Sequence, residues 1–296
     1  MRQPHDHEAH DHDLGLQHDL ATLMRQRRQA LGWLAGLGGM ALIGCGGGGE
    51  AGSTSTSSSS SSSSSGSSTT TTTTTGTVSS CSVIPEETAG PYPGDGSNSS
   101  SSGIANALTL SGIVRSDIRS SVGSASGTAS GVPLTITLRL VNTSSSCADL
   151  SGYAIYLWHC DAQGRYSMYS SGVTAQNYLR GVQATASDGT VSFTTIVPGC
   201  YSGRMPHMHF EVYRSTTTAT SYTNKLKTSQ IAFPTDIVKA IYTSESSTYS
   251  GSLSNLNAIS FATDNIFSDG YSTQLASMSG SISAGYTASL VVGISA

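Results

Sequence analysis

From Leu134 to Val141 the chain reads LTITLRLV, with apolar and polar residues in alternation. A period of two is that of a half-buried strand, whose successive side chains point to opposite faces. Shorter runs follow at Tyr153 to His159, Val191 to Ile196, His207 to Tyr213 and Tyr286 to Ile294. Gly, Asp, Ser and Asn separate them, and Ser187-Asp188-Gly189 is a turn signal ahead of its strand. Several short strands at this spacing predict an all-β sandwich with functional loops at one end. One short helix is predicted at Thr235 to Tyr242, with Thr235 as N-cap and Ile237, Val238 and Ile241 on one face.

The alternating pattern begins only at Cys81. Before it, Arg25-Gln26-Arg27-Arg28 leads into an apolar run from Ala30 to Ile43, too short and Gly-rich for a stable membrane span. Basic residues followed by a short apolar segment form an export signal, and paired Arg27-Arg28 points to the twin-arginine route. Leu42-Ile43-Gly44-Cys45 resembles a bacterial lipobox, which would make Cys45 a lipidated first residue and the only contact with a membrane. Residues 46–80 are Gly-rich, then nearly pure Ser and Thr, a composition that cannot bury apolar surface and serves as a tether. The chain thus divides into a leader at 1–45, a linker at 46–80 and a domain at 81–296. Five of the eight His (His5, His7, His10, His12 and His18) lie in the leader and would be lost on cleavage. Charged residues are only 11% and the formal net charge is −4, which argues against a nucleic-acid partner.

Chemistry concentrates in Pro198-Gly199-Cys200-Tyr201-Ser202-Gly203-Arg204-Met205-Pro206-His207-Met208-His209-Phe210. His207 and His209 are two apart on a predicted strand, so both imidazoles can reach one point. Tyr201, on a Pro-Gly turn, can approach that point from the side. A hard phenolate with intermediate imidazoles suits Fe(III) better than zinc or a soft metal. Arg204 can stabilise an anionic intermediate beside such a site. His159, beside Trp158 and Cys160, reads as a packed or hydrogen-bonded residue. Tyr166, one of 13 tyrosines, follows a turn and would on its own read as structural. With Cys45 set aside, Cys81, Cys147, Cys160 and Cys200 allow three disulfide connectivities. Cys160 and Cys200 each adjoin a candidate ligand loop, so the expected pairs are Cys160–Cys200 and Cys81–Cys147.

Joined in order, these segments resemble the intradiol ring-cleavage dioxygenases, closest to the protocatechuate 3,4-dioxygenase type and its exported lipoprotein relatives. The likeness starts at Pro85-Glu86-Glu87-Thr88-Ala89-Gly90-Pro91-Tyr92. It continues through Leu157-Trp158-His159-Cys160-Asp161-Ala162-Gln163-Gly164-Arg165-Tyr166, Leu179-Arg180-Gly181 and Asp188-Gly189-Thr190-Val191-Ser192-Phe193. The R-x-x-H-x-H-F element at Arg204 to Phe210 closes it. The resemblance implies a prealbumin-like β-sandwich with one or two short helices, cleaving a catechol-type diol with O2 to a cis,cis-muconate. It implies Tyr166, Tyr201, His207 and His209 as ligands of a non-haem Fe(III), with Tyr201 leaving when substrate binds. Arg204 and Gln230 match residues that stabilise the reacting substrate, and Thr88 and Tyr92 match residues lining its pocket. The resemblance leaves a homo-oligomer open, since the family's active site can be assembled by two subunits or by one chain, and here Thr88 to Tyr92 and the ligands share one chain.

The chain also departs from the family pattern. Ser202-Gly203 makes a short link from Tyr201 to Arg204, and a Ser/Thr-rich insertion separates His209 from Gln230. No basic residue is evident for a substrate carboxylate, which puts protocatechuate itself in doubt and leaves catechol, hydroxyquinol or a larger aromatic diol open. Two other readings compete. A non-catalytic prealbumin-like surface module accounts for Asp188 to Tyr201 but not for Arg204, His207 and His209. A zinc hydrolase lacks a third His or carboxylate ligand.

Overall fold

The computed structural model describes residues 81–296, and the leader, lipobox and linker readings lie outside the described residues. A hairpin of β1 (Asp95–Ser100) and β2 (Gly103–Asn106) opens the domain. It is followed by β3 (Pro133–Asn142), the short β4 (Ala148–Asp149), β5 (Ala154–Trp158), β6 (Arg180–Ala184), β7 (Thr190–Ile196), β8 (His207–Tyr213) and β9 (Lys225–Ala232). Two helices, α1 (Thr235–Ser244) and α2 (Ser252–Asn257), precede the final hairpin of β10 (Ser277–Ser281) and β11 (Gly285–Ile294).

Two sheets carry the sandwich. One runs β10-β11-β3-β4, with β7 also paired to β3, and the other runs β6-β5-β8-β9. Every pair is antiparallel except β3 with β11. Alternation explains what lies between the sheets. Leu134, Ile136, Leu138 and Leu140 of β3 turn inward to meet Ile155 and Leu157 of β5 and Met208, Phe210 and Val212 of β8. Burying such side chains stabilises the fold by roughly 1.5–3 kcal/mol each relative to leaving them exposed.

The second sheet is covered on its outer face as well, so all five residues of β5 and all seven of β8 are buried. Ala154, Tyr156 and Trp158 of β5 and Tyr213 of β8 join Ala107, Leu108, Ile113 and Tyr166 in a second cluster there. The connections before β3 and after β5 supply this cover, and the candidate site lies beneath it.

The five alternating runs coincide with β3, β5, β7, β8 and β11. The helix also forms, but Thr235 is its first helical residue rather than its cap. Pro234 occupies the cap position without a side-chain hydrogen bond, which is consistent with the preset φ that suits proline to a helix start. Val238, Ile241 and Tyr242 are the buried residues of α1. Among the described residues, no helix is long and apolar enough to cross a membrane.

The cysteines correct one expectation and bear out the other. Cys81 and Cys147 are bridged, with Cα atoms 5.8 Å apart and a sequence separation of 66. Cys160 and Cys200 are free thiols, both buried. Cys160 Sγ instead faces the Gly199 carbonyl at 3.5 Å, and Cys200 Sγ the Arg204 carbonyl at 3.4 Å. The ligand loops are therefore braced by packing and hydrogen bonds rather than by a covalent bridge.

Candidate metal centre

Because Met208, Phe210 and Val212 point inward, His207 and His209 must point to the opposite face of β8. Pairing with β5 and β9 fixes their register, with Trp158 and Gln230 opposite His209 and Ala232 opposite His207. The indole of Trp158 stacks on the His209 ring at 5.0 Å with 7° between planes, which holds the ring's orientation. His207 Nδ1 lies 2.7 Å from the Met205 carbonyl, which can only accept, so this nitrogen carries the proton. His207 Nε2 then presents a lone pair, 3.1 Å from His209 Nε2 and 3.1 Å from Tyr201 Oη. Three donor atoms thus face a common point.

Tyr166 completes the group. Its ring centroid is 6.0 Å from that of Tyr201 and 6.2 Å from that of His209. Its Oη is buried and, apart from a loose approach to the Tyr201 hydroxyl, makes no hydrogen bond within the described residues. A buried hydroxyl without a firm partner costs free energy, and native proteins seldom leave one. Gly164, at φ +79°, permits the tight turn between these elements, because a Cβ there would lie 2.9 Å from Tyr201 Cβ.

Burial governs protonation in the protein without metal. It pushes the Tyr201 phenol up to about 12, against the opposing pull of Arg204. It also raises Tyr166 well above the ordinary phenol value. Burial lowers His207 and His209, and neighbouring cations, Arg204 among them, add to the effect. The cluster is therefore two neutral phenols and two neutral imidazoles, which a trivalent cation would convert to phenolates and ligands. Two hard oxygens and two imidazoles fit a ferric ion by donor chemistry, and the poorly partnered Tyr166 Oη is accounted for by such a group. Among the described residues no three His, Cys, Asp or Glu side chains gather, so the third and fourth donors here are phenols.

Arg204, Gln230, Thr88 and Tyr92 meet this cluster or its rim. Arg204 donates from Nε to Asp264 at 3.0 Å and from Nη2 to Gln230 Oε1 at 2.6 Å. Gln230 Nε2 in turn donates to the Thr88 carbonyl at 3.0 Å. The insertion ahead of Gln230 therefore leaves it in place, because β9 pairs it directly with His209. Tyr92 packs its ring 5.2 Å from Tyr166. His159 stays apart from the donor set. Its Nδ1 donates to the Cys160 carbonyl at 2.8 Å and its Nε2 accepts from Thr195 at 2.7 Å.

Two participants carried no assigned role in the sequence reading. Arg180 is buried and spends its donors on the carbonyls of Tyr92, Pro93 and Ser167 and on the hydroxyls of Ser167 and Tyr156. It clamps the Tyr92 segment against the loop that carries Tyr166. Leu179-Arg180-Gly181 belonged to the resemblance, but nothing in it said what the guanidinium touches. Asp264, fully buried, has no sequence signal at all. A shallow cavity of about 340 Å³ on the outer face of the other sheet, lined by Thr137, Arg139, Ser277, Ser289 and Val291, contains none of these groups.

A family model described as dioxygenase matches residues 115–245, which include Tyr166, Tyr201, Arg204, His207, His209 and Gln230. Among solved structures, an intradiol ring-cleavage dioxygenase from Tetranychus urticae is similar at 25% identity and a TM-score of 0.52. That likeness covers 72% of this chain and 95% of the other. A second dioxygenase, Tetur07g02040, is 25% identical with a TM-score of 0.53, over 72% of this chain and 94% of its own. No curated protein matches the chain. Over residues 115–245 the chain matches the dioxygenase family model, and the domain is similar in sequence and fold to intradiol ring-cleavage dioxygenases, which are enzymes.

Proposed function

We propose that the domain cleaves a catechol-type aromatic diol with O2 between its two hydroxylated carbons, giving a cis,cis-muconate-type product. Tyr166, Tyr201, His207 and His209 would hold a non-haem Fe(III). The observation that carries the reading is the convergence of two imidazole nitrogens and a phenol oxygen at 3.1 Å, beside a buried phenol with no firm partner. A ferric ion held there would supply Lewis acidity that favours ionisation of the diol and its activation toward O2.

The protein's part is positioning and charge. Tyr201 is half-buried whereas Tyr166 is 3% exposed, so Tyr201 is the residue with room to swing aside and, once ionised by the bound iron, its phenolate would take a hydroxyl proton from the diol. Tyr166, His207 and His209 stay fixed by burial, stacking and the Met205 hydrogen bond. Arg204 brings a cation to where negative charge grows on the ring carbon and oxygen, and Gln230 shares its hold on the guanidinium. Thr88, Gly90 and Tyr92 form the wall by which the diol enters, with Gly90 close enough to His209 that a Cβ there would lie 3.4 Å from the ring. Both buried cations of this region are already engaged, Arg180 on carbonyls and Arg204 on Asp264 and Gln230. That favours an uncharged diol over one bearing a carboxylate.

The leader assigns the location: export by the twin-arginine route and a lipid anchor at Cys45, with residues 46–80 as tether. The Cys81–Cys147 bridge agrees with an oxidising compartment. Replacing Cys45 with Ala would then release the protein from the membrane fraction, and unchanged membrane retention would refute the anchor.

The reading is tested on the purified protein by metal content and visible spectrum. About one iron per chain, with a tyrosinate-to-iron charge-transfer band that shifts when catechol is added, supports it. A protein that stays colourless after reconstitution with Fe(III) removes it and leaves the non-catalytic surface module.

A further inference from the structure

Asp264 lies 60 residues beyond Arg204 in sequence and outside the stretch matched by the family model. Its carboxylate is fully buried and accepts from four donors. Oδ2 takes Arg204 Nε at 3.0 Å and the Met205 amide at 2.7 Å. Oδ1 takes the amides of Ile266 at 2.8 Å and Phe267 at 3.1 Å. One oxygen therefore faces the ligand loop, while the other closes a turn of the C-terminal segment.

That turn also borders the cluster. The Phe267 ring lies 6.5 Å from His207 and 5.8 Å from the Arg204 guanidinium carbon. With Nε on Asp264 and Nη2 on Gln230, Arg204 is held by two of its three nitrogens. Nη1 makes no hydrogen bond among the described residues. A planar guanidinium pinned at two corners has its third corner fixed in direction.

We propose that Asp264 is the positioning residue that aims Arg204 at the substrate side of the cluster, so the C-terminal segment completes the active site. The substrate in this statement rests on the ring-cleavage reading, whereas the hold on Arg204 does not. The carboxylate is suited to the task because it is acceptor-only and rigidly placed by the turn amides. An amide in its place would turn a donor toward one of these two pairs, either Arg204 Nε and Met205 N or the Ile266 and Phe267 amides, and loosen the bridge between them.

The test uses Asp264→Asn in the full chain with two readouts. The first needs neither iron nor turnover: the rate at which phenylglyoxal, which condenses with the two Nη atoms, labels Arg204, followed by peptide mass mapping. Wild type should be labelled slowly and D264N several-fold faster. The second is steady-state turnover of catechol. D264N should lose roughly 10²-fold in kcat, the scale of an ångström of misplacement, with KM close to wild type. Phe261→Leu is the control for loosening alone, since Phe261 packs on Phe267 and Tyr271 without a hydrogen bond to Arg204. It should leave the labelling rate unchanged.

Should D264N fail to fold, Asp264→Glu keeps the charge but moves it by one methylene. It should expose Arg204 to the reagent and lower kcat, and wild-type behaviour in both would overturn the proposal. Arg204 that stays protected in folded D264N overturns it whether or not any diol is turned over. Wild-type protein inert toward every diol, with faster labelling in D264N, would instead retire the ring-cleavage reading and leave Asp264's hold on Arg204 standing.

Discussion

Replacing Tyr166 with Phe should act in opposite directions on the metal-free and iron-loaded protein. In the metal-free state Tyr166 Oη is buried with only a loose approach to the Tyr201 hydroxyl, so its removal relieves a desolvation penalty of up to about 1–3 kcal/mol. The ring stays, and with it the packing against Tyr92 at 5.2 Å. Metal-free Y166F should therefore unfold at a higher denaturant midpoint with an unchanged slope, and melt roughly 2–10 °C above wild type. Iron reverses the order. A ligand that binds only the folded state stabilises by about 2.7 kcal/mol at a hundredfold excess over its dissociation constant. A site stripped of one of two phenolates should lose much of that gain and the corresponding part of the charge-transfer band.

The assay is a pair of urea titrations with and without Fe(III), run on wild type, Y166F and Tyr201→Phe. Tyr201 gives the contrast, because its Oη bonds to His207 at 3.1 Å, so its loss should not stabilise the metal-free protein. A metal-free Y166F less stable than wild type would show that Oη has a partner inside the protein. Iron that stabilises Y166F as much as wild type would show that Tyr166 is no ligand.

The cysteines give two further tests. Cys81→Ser/Cys147→Ser opens a loop of 66 residues' separation and should cost about 4 kcal/mol by loop-closure entropy, read as a lower urea midpoint. Alkylation of the unfolded, unreduced protein should label Cys160 and Cys200 but not Cys81 or Cys147, with a mapped Cys160–Cys200 peptide as the contrary result. Acid titration probes His159, which burial lowers to about 4 from an ordinary value of 6.5. The unfolded chain takes up that proton first, so the stability it contributes is complete above pH 6.5 and is lost as pH falls toward 4. The loss is at most ~3 kcal/mol. His159→Gln, which cannot gain a proton, should flatten this part of the stability profile, and an unaltered slope would refute the assignment.

The strands that alternate were legible because alternation is a local signal. β3, β7 and β11 show it because the outer faces of their sheet are largely exposed to water. β5 and β8 are buried on both faces, yet β8 was still found, because its outward residues are His207, His209 and Glu211 rather than leucines. β6, β9 and β10 were missed for different reasons. β6 carries Arg180 and Gly181 where a strand pattern wants apolar residues, and Arg180 is buried only because five oxygens surround it. β9 alternates weakly from Lys225 to Ser229, since its partners cover it more than its own apolar side chains do. β10, Ser277 to Ser281, is an edge of Ser, Met and Gly that owes its shape to β11. His207, His209, Tyr201 and Arg204 were legible as a cluster of chemistry-bearing residues, Tyr166 only through the family resemblance, and Asp264 not at all. An aspartate in a turn looks the same in sequence whether it faces water or a guanidinium.

The arrangement of β8 explains why the site sits where it does. A strand buried on one face only would expose its histidines to solvent, where water competes for the metal and for every charge. Here the second face is roofed by Tyr92, Tyr166 and Trp158, so the donors share a low-dielectric chamber with two guanidiniums. In such a chamber a neutral phenol is the stable form until a multivalent cation arrives, and Arg204 and Arg180 alone do not supply enough charge to ionise it. On the proposed reading, metal binding and phenol ionisation would therefore be coupled at this site. Iron uptake should release protons and weaken steeply with acid, in step for Tyr166 and Tyr201, because neither phenol has another route to its anion.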